Sequence, residues 1–100
     1  MPRDVSLPPG SRLVRTTAEF TAQTVPPALL SAHRVAEGVW GRLVVLEGTV
    51  TYFWEATHEV RELHAGQRQV IEPGVLHHVE PGGDARFVVE FHRPGSSGGE

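Results

Sequence analysis

The 100-residue chain contains no cysteine. Disulfides are therefore excluded, and so is thiolate chemistry of either the catalytic or the metal-binding kind. The chain also lacks an apolar run long enough to cross a bilayer, and its first ten residues lack the apolar segment of a secretory signal. These absences predict a cytoplasmic location and no membrane partner.

Positive charge is scarce as well, since nine cationic residues stand against twelve acidic ones. No basic patch dominates, so we do not expect nucleic acid as a partner. A P-loop and a dinucleotide-binding fingerprint are also missing, because the glycines lie in predicted hairpin turns rather than between a strand and a helix. No Ser-His-Asp arrangement can be assembled, and the sequence leaves enzymatic activity open.

The sequence is rich in short β-branched and aromatic segments separated by turn residues. Strands are predicted over residues 11–17, 39–47, 50–55, 60–64 and 68–72. Strands that recur about every ten residues, with no amphipathic helix, predict an all-β sandwich or barrel. Residues 28–35 allow a short helix, but their neighbours favour an extended segment. We expect one domain over residues 11–93, between a flexible lead-in (1–10) and a disordered tail (94–100).

The segment from Val70 to His92 contains the most informative residues. Two apolar runs flank Pro81–Asp84, which predicts a hairpin. If the loop is symmetric about its two glycines, His77 lies opposite Val88 and shares a face with Glu90 and His92. The β-carbons of His77 and Glu90 would then lie roughly 7–8 Å apart as diagonal neighbours. A slip of one residue would instead pair Glu90 with His78.

Four side chains are candidates for a site. His33 and His77 lie in apolar stretches, where an imidazole needs a partner. Either metal ligation or a hydrogen-bonded core histidine satisfies that need. Glu90 and Arg42 are charges inside apolar strands, and the alternative for them is an internal ion pair without metal. As a ligand set, His33, His77 and Glu90 suit zinc, iron(II) or another first-row divalent ion. His58 and His64 are expected at the surface.

Two stretches resemble the cupin signature. Residues 44–50 resemble the end of the first cupin motif, and residues 72–77 resemble the second, in which His77 takes the position of a metal-binding histidine. The first motif departs from the family pattern, because His-x-His is missing and the usual glutamate position falls near Gly41. The resemblance therefore does not imply the usual four-ligand site.

A narrower resemblance covers nearly the whole chain except the tail. The chain resembles the TehB/YeaR-like small cupins, a family tied to tellurite-resistance proteins. The matching residues are Thr16, Thr17, Phe20, Val25, Pro26, Leu29, His33, Trp40–Arg42, Glu47, Gly48, Ile71–Pro73, His77 and Val89–Phe91. The resemblance implies a single-domain cupin double-stranded β-helix, with His33, His77 and Glu90 at recurrent polar positions.

Two functions follow as expectations. The first is a small cupin that binds zinc, iron or another divalent transition metal in its barrel, with a link to tellurite or related oxyanion stress. In that function Arg42 supports the ligands or binds an anion. The second is a non-catalytic module that binds or senses a small molecule or oxyanion without metal. The family and the need to cover sheet edges predict a homodimer.

Overall fold

The computed structural model describes residues 6–32 and 35–95, which form an all-β fold. Its strands are β1 (Arg12–Thr16), β2 (Phe20–Thr21), β3 (Trp40–Glu47), β4 (Thr49–Trp54), β5 (Val60–His64), β6 (Arg68–Ile71), β7 (His77–Pro81) and β8 (Arg86–Arg93). The predicted fold class is confirmed. The predicted β3–β4 hairpin and the strands that follow it also lie within a few residues of their expected bounds.

The strands form two antiparallel sheets that face each other. The larger sheet has the order β1-β8-β3-β6, with β2 joined to β8, and the smaller has the order β5-β4-β7. Burial alternates along the central strands: on β3, Leu43 and Val45 are buried while Arg42 and Val44 are only half-buried. The buried faces of both sheets form one apolar core. Each fully buried large apolar side chain stabilises that core by about 1.5–3 kcal/mol.

The predicted hairpin of residues 70–92 is wrong. β7 pairs with β4 in the smaller sheet, whereas β8 pairs with β3 and β1 in the larger one. The chain crosses between the sheets at Gly82–Ala85, so the two strands face each other instead of pairing side by side. His77 on β7 and Val89 on β8 therefore both point into the space between the sheets, where they line one cavity.

The extended segment predicted over residues 28–35 is also wrong at its start. Pro27–Leu30 forms one turn of 3-10 helix, with a proline at the first helical position. Proline suits that position because its missing N–H would have no partner there. Leu29 is half-buried and packs against the core, so the turn covers part of the apolar core.

The sheet edges in the described part of the chain are formed by β1, β2 and β6 in the larger sheet and by β5 and β7 in the smaller one. All five residues of β1 are exposed, including Leu13 and Val14. Exposed edges of this kind favour pairing with another chain, and the expected homodimer stays a prediction. Within residues 6–32 and 35–95, no helix is long and apolar enough to span a membrane.

Two turns contact each other at one end of the barrel. Gly48 closes the β3–β4 hairpin with a φ of 70°. A β-carbon at Gly48 would lie 2.8 Å from the Cα atom of Ala85, in the crossover between β7 and β8. In the same crossover, the backbone N–H of Gly82 donates a hydrogen bond of 2.8 Å to the carbonyl oxygen of Thr49. The fit between these turns fixes where β8 enters the larger sheet.

We expect Gly48→Ala to destabilise the fold more than Gly66→Ala. Both glycines have positive φ, which costs another residue about 1–2 kcal/mol. Only at Gly48 does the added methyl group also meet backbone atoms, since nothing lies within 4 Å of a β-carbon at Gly66. Gly48→Ala should therefore lose at least about 1 kcal/mol more unfolding free energy than Gly66→Ala, as is typical of overpacked sites. Denaturant unfolding measures it, and equal losses in the two variants would contradict the close packing of the turns.

Candidate functional site

A cavity of about 310 Å³ lies between the two sheets. Most of its wall is apolar: it is lined by Arg15, Thr17, Phe20, Pro26, Ala28, Leu29, Val35, Leu43, Ile71, His77, Val79, Val89 and Phe91. Among these residues, His77 and Arg15 carry the titratable side chains. A concave apolar space with a few polar groups is the usual form of a small-molecule site. We call it the barrel cavity.

His77 is held rigidly in the wall of the barrel cavity. Its side chain is buried, with 1% of the residue exposed. The imidazole stacks on the ring of Tyr52 at 5.3 Å between centroids, and its Nδ1 lies 2.9 Å from the carbonyl oxygen of Val75. Because a carbonyl oxygen only accepts, Nδ1 carries the proton and donates it. In the neutral ring Nε2 is then a hydrogen-bond acceptor.

Arg15 was not predicted as a site residue. It lies opposite Phe91 in the pairing of β1 with β8, and its guanidinium carbon lies 4.8 Å from the centre of the Phe91 ring. That geometry is a cation–π contact. The register of β1 shifts between Leu13 and Arg15. The alternation of side chains along a strand does not predict such a shift, so the face of Arg15 could not be inferred from the sequence. The charge of Arg15 within a short strand was the one available signal.

Glu90 lies on the other face of the larger sheet. Its neighbours on β8, Val89 and Phe91, line the barrel cavity, and alternation turns the Glu90 side chain away from it. Arg42 is its partner on β3 and donates to Glu90 Oε1 from Nε at 2.9 Å and from Nη2 at 2.8 Å. His92 Nε2 donates to the same oxygen at 3.0 Å. This arrangement is the internal ion pair that the sequence offered as the alternative to a metal site.

The pKa of Glu90 lies below its ordinary value of 4.5. Burial of the carboxylate opposes ionisation and alone would raise the pKa. The hydrogen bonds from His92 and Arg42, with their charges, outweigh it. His92, which could have been exposed near a strand end, is instead buried, with 6% of the residue exposed. Its Nδ1 has no hydrogen-bond partner among the described residues.

The structure does not bring the three predicted metal ligands together. His77 lies inside the barrel, Glu90 lies on the outer face, and His33 falls outside the described residues. Within residues 6–32 and 35–95, no group of three or more His, Asp or Glu side chains could hold a metal ion. Two or more further donors would be needed around His77 for a transition-metal site, and the described wall of the cavity does not supply them.

The remaining described histidines do not line the barrel cavity. His78 points to the opposite side of β7 from His77, as expected from alternation. It stacks on Phe53 at 4.2 Å between ring centroids and contacts Glu55 through Nδ1. His58 and His64 are exposed, as the sequence predicted.

Two facing antiparallel sheets around an apolar cavity, with a histidine in its wall, define a cupin-type barrel. The TehB-like domain matches residues 15–89, and the chain therefore belongs to the TehB-like family. A search of curated protein sequences finds no significant match.

Solved structures agree with this assignment. A protein from Escherichia coli K12 superposes with a TM-score of 0.84 at 27% identity, over 91% of this chain and 98% of its own. TehB from Haemophilus influenzae gives 0.76 at 18% identity, over 86% of this chain but only 32% of TehB. A cupin-2 domain protein from Shewanella frigidimarina superposes with a TM-score of 0.52 at 22% identity, over 90% of this chain and 78% of its own. The last two show the fold alone.

We expect Glu90→Gln to lower the free energy of unfolding and to make that free energy less sensitive to acid pH. Because the pKa of Glu90 is lower in the folded chain, its ionisation stabilises the fold fully above about pH 4.5. That contribution is lost as the pH falls through the folded value. At pH 7 the variant should lose about 1–2 kcal/mol of unfolding free energy, since charge-assisted hydrogen bonds to Arg42 and His92 are weakened. Urea unfolding at a series of pH values measures both effects.

Glu37→Gln is the matched control, because Glu37 is exposed in a turn. It should change stability by less than about 0.5 kcal/mol. If Glu90→Gln keeps the wild-type slope of stability below pH 4.5, the ion pair does not stabilise the ionised carboxylate as the geometry indicates.

Proposed function

We propose that this cupin binds a small molecule with a largely apolar body in the barrel cavity, with His77 as a fixed polar contact in its wall. The observation that carries the proposal is the composition of that wall. Eleven of its thirteen lining residues have neither a charge nor a titratable group. An apolar ligand gains about 25 cal/mol for each Å² of apolar surface that leaves water, and a cavity of this size can enclose most of such a ligand.

The wall is prepared for binding before a ligand arrives. Tyr52 and the carbonyl of Val75 fix the plane and the proton position of His77. A fixed polar group loses little conformational entropy on binding, which favours affinity and a defined ligand orientation. On the 3-10 helix, Leu29 and the exposed Ala28 both line the cavity. We therefore expect the ligand to enter beside this helix.

The proposal predicts that 1-octanol binds inside the barrel and that Ala28→Trp blocks it. Ala28 lines the cavity but is exposed, so a larger side chain there fills space without removing a core contact. We expect at least a ten-fold weaker affinity in the variant. Isothermal titration calorimetry measures it, and amide shifts in NMR spectra locate the site.

Ala36→Trp provides the control, since Ala36 is also exposed and does not line the cavity. It should bind 1-octanol as the wild type does. If 1-octanol causes no shift at Leu43, Val79 or Val89, or if Ala28→Trp leaves its affinity unchanged, the barrel cavity is not the binding site.

Metal binding in the barrel is a second proposal, supported by the cupin fold and by the interior position of His77. The ligand set predicted from the sequence does not fit, because Glu90 forms an ion pair with Arg42 on the outer face of the sheet. A bound zinc or iron ion would have to use His77 with donors that the described wall does not contain.

Elemental analysis of untagged protein purified without chelator tests this second proposal. About one zinc or iron per chain is expected if a site exists, with loss of the metal in His77→Ala and retention in Glu90→Gln. Glu90→Gln thus distinguishes a metal bound inside the barrel from one bound on the outer face of the sheet. Wild-type protein that contains no metal and binds none on addition of zinc or iron(II) would remove the proposal.

A link to tellurite or another oxyanion is a further proposal, supported by membership of the TehB-like family. Direct titration of the protein with tellurite tests it. The homodimer and the cytoplasmic location likewise stay predictions from the sequence.

A further inference from the structure

A second, smaller cavity adjoins the barrel cavity. It measures about 210 Å³ and is lined by Val14, Arg15, Val39, Phe91, His92 and Arg93. Arg15 and Phe91 line both spaces. Arg15 and Phe91, which are in cation–π contact, therefore form a wall that the two cavities share. The barrel cavity lies on one side of this wall, and the space beside Arg93 lies on the other.

The strand register gathers three arginines at this wall. Arg12 lies directly opposite Arg93, and Arg15 lies opposite Phe91. Partners that lie directly opposite share a face, and so do Phe91 and Arg93, which are two residues apart on β8. Arg12 and Arg15 are three apart and would alternate to opposite faces in a regular strand. The irregularity between Leu13 and Arg15 brings both onto one face.

These three side chains, which we call the arginine cluster, have no acidic partner among the described residues. Like charges directly opposite each other in a sheet are destabilising. Two other arginines of the larger sheet do have acidic partners: Arg42 pairs with Glu90, and Arg86 pairs with Glu19 and Glu47. No ion pair joins Arg12, Arg15 or Arg93 to a carboxylate in residues 6–32 and 35–95.

The contact of Arg15 with Phe91 leaves donors for a ligand. A cation–π contact uses the charge of the guanidinium and does not occupy its N–H groups, which lie in the plane of the guanidinium and point outward. Planar donors of this kind match the two oxygens of a carboxylate or phosphate. The apolar ring of Phe91 also lowers the local dielectric, which strengthens attraction between the guanidinium and an anion.

We propose that the ligand of the barrel cavity is an amphipathic anion, with its apolar body between the sheets and a carboxylate or phosphate head at the arginine cluster. This inference rests on the proposed function, because it extends the ligand from the same cavity. Anion binding offsets the repulsion between Arg12 and Arg93. Arg15 is the residue that contacts both parts of the ligand, because it lines both cavities.

The test compares octanoate and octyl phosphate with 1-octanol, which has the same apolar chain without the charge. Calorimetry on the full chain should give both anions at least ten-fold higher affinity than 1-octanol at low salt. Added sodium chloride should reduce that advantage, since the cluster is solvent-accessible. The two anions are compared with each other to distinguish the head groups.

Arg93→Gln should bring the affinity for octanoate down to that for 1-octanol and leave 1-octanol binding unchanged. Arg68→Gln is the matched control, because Arg68 is an exposed arginine on another edge strand of the same sheet. It should leave both affinities unchanged. Thermal unfolding without ligand confirms that each variant is folded.

The outcomes separate the two proposals. Equal affinities for octanoate and 1-octanol in the wild type overturn this inference and leave the proposed function standing. Octanoate binding that is lost in Arg93→Gln but unaffected by Ala28→Trp shows an anion site unconnected to the barrel cavity, and it also overturns the inference. If none of the three compounds binds, both proposals fail.

Discussion

The crossing of the chain between β7 and β8 is the constraint on which the rest of the site depends. The segment Gly82–Ala85 is short enough to close a hairpin, yet it carries the chain from the smaller sheet to the larger one. Gly48 permits this, because its missing β-carbon leaves room for the backbone of Ala85. Once the crossing is fixed, His77 and Val89 must face each other across the core. The barrel cavity is the space that remains between them.

The same crossing decides the role of Glu90. With β8 in the centre of the larger sheet, one face of the strand belongs to the cavity and the other carries charge. Arg42 and His92 both donate to one oxygen of Glu90, so the carboxylate is satisfied without a metal. This network ties β3 to β8 directly behind the cavity wall. It therefore supports the position of Val89 and Phe91, although its charges do not face the ligand.

Much of the fold could be predicted because it is encoded locally. β-branched and aromatic residues, with turns at Gly48 and before Arg68, define the central strands, and the residues around His77 carry the cupin resemblance. The pairing partner of β7 could not be predicted in this way. Alternation tells which residues share a face, but a four-residue turn with two glycines serves a hairpin or a crossover equally well. The prediction that Glu90 and Val89 point to opposite faces of β8 was therefore correct. The prediction that Glu90 shares a face with His77 was wrong.

The arginines were missed for a related reason. A shift of register within β1 places Arg12 and Arg15 on one face, and no pattern in five residues announces such a shift. The 3-10 helix, which supplies part of the cavity wall, was not predicted because its neighbours favour an extended segment. Proline before such a segment is equally suited to the first turn of a helix.

The arginine cluster also bears on the choice between metal and small molecule. A divalent cation beside Arg15 meets repulsion from a charge that lines the same cavity. The field that opposes a bare cation attracts an anion, and an anionic ligand would in turn offset the repulsion toward a cation at His77. A metal in this barrel is thus favoured only together with an anion, whereas an amphipathic anion needs no metal. The positive charge of Arg15 at the cavity wall therefore favours an anionic ligand over a metal ion in the barrel cavity.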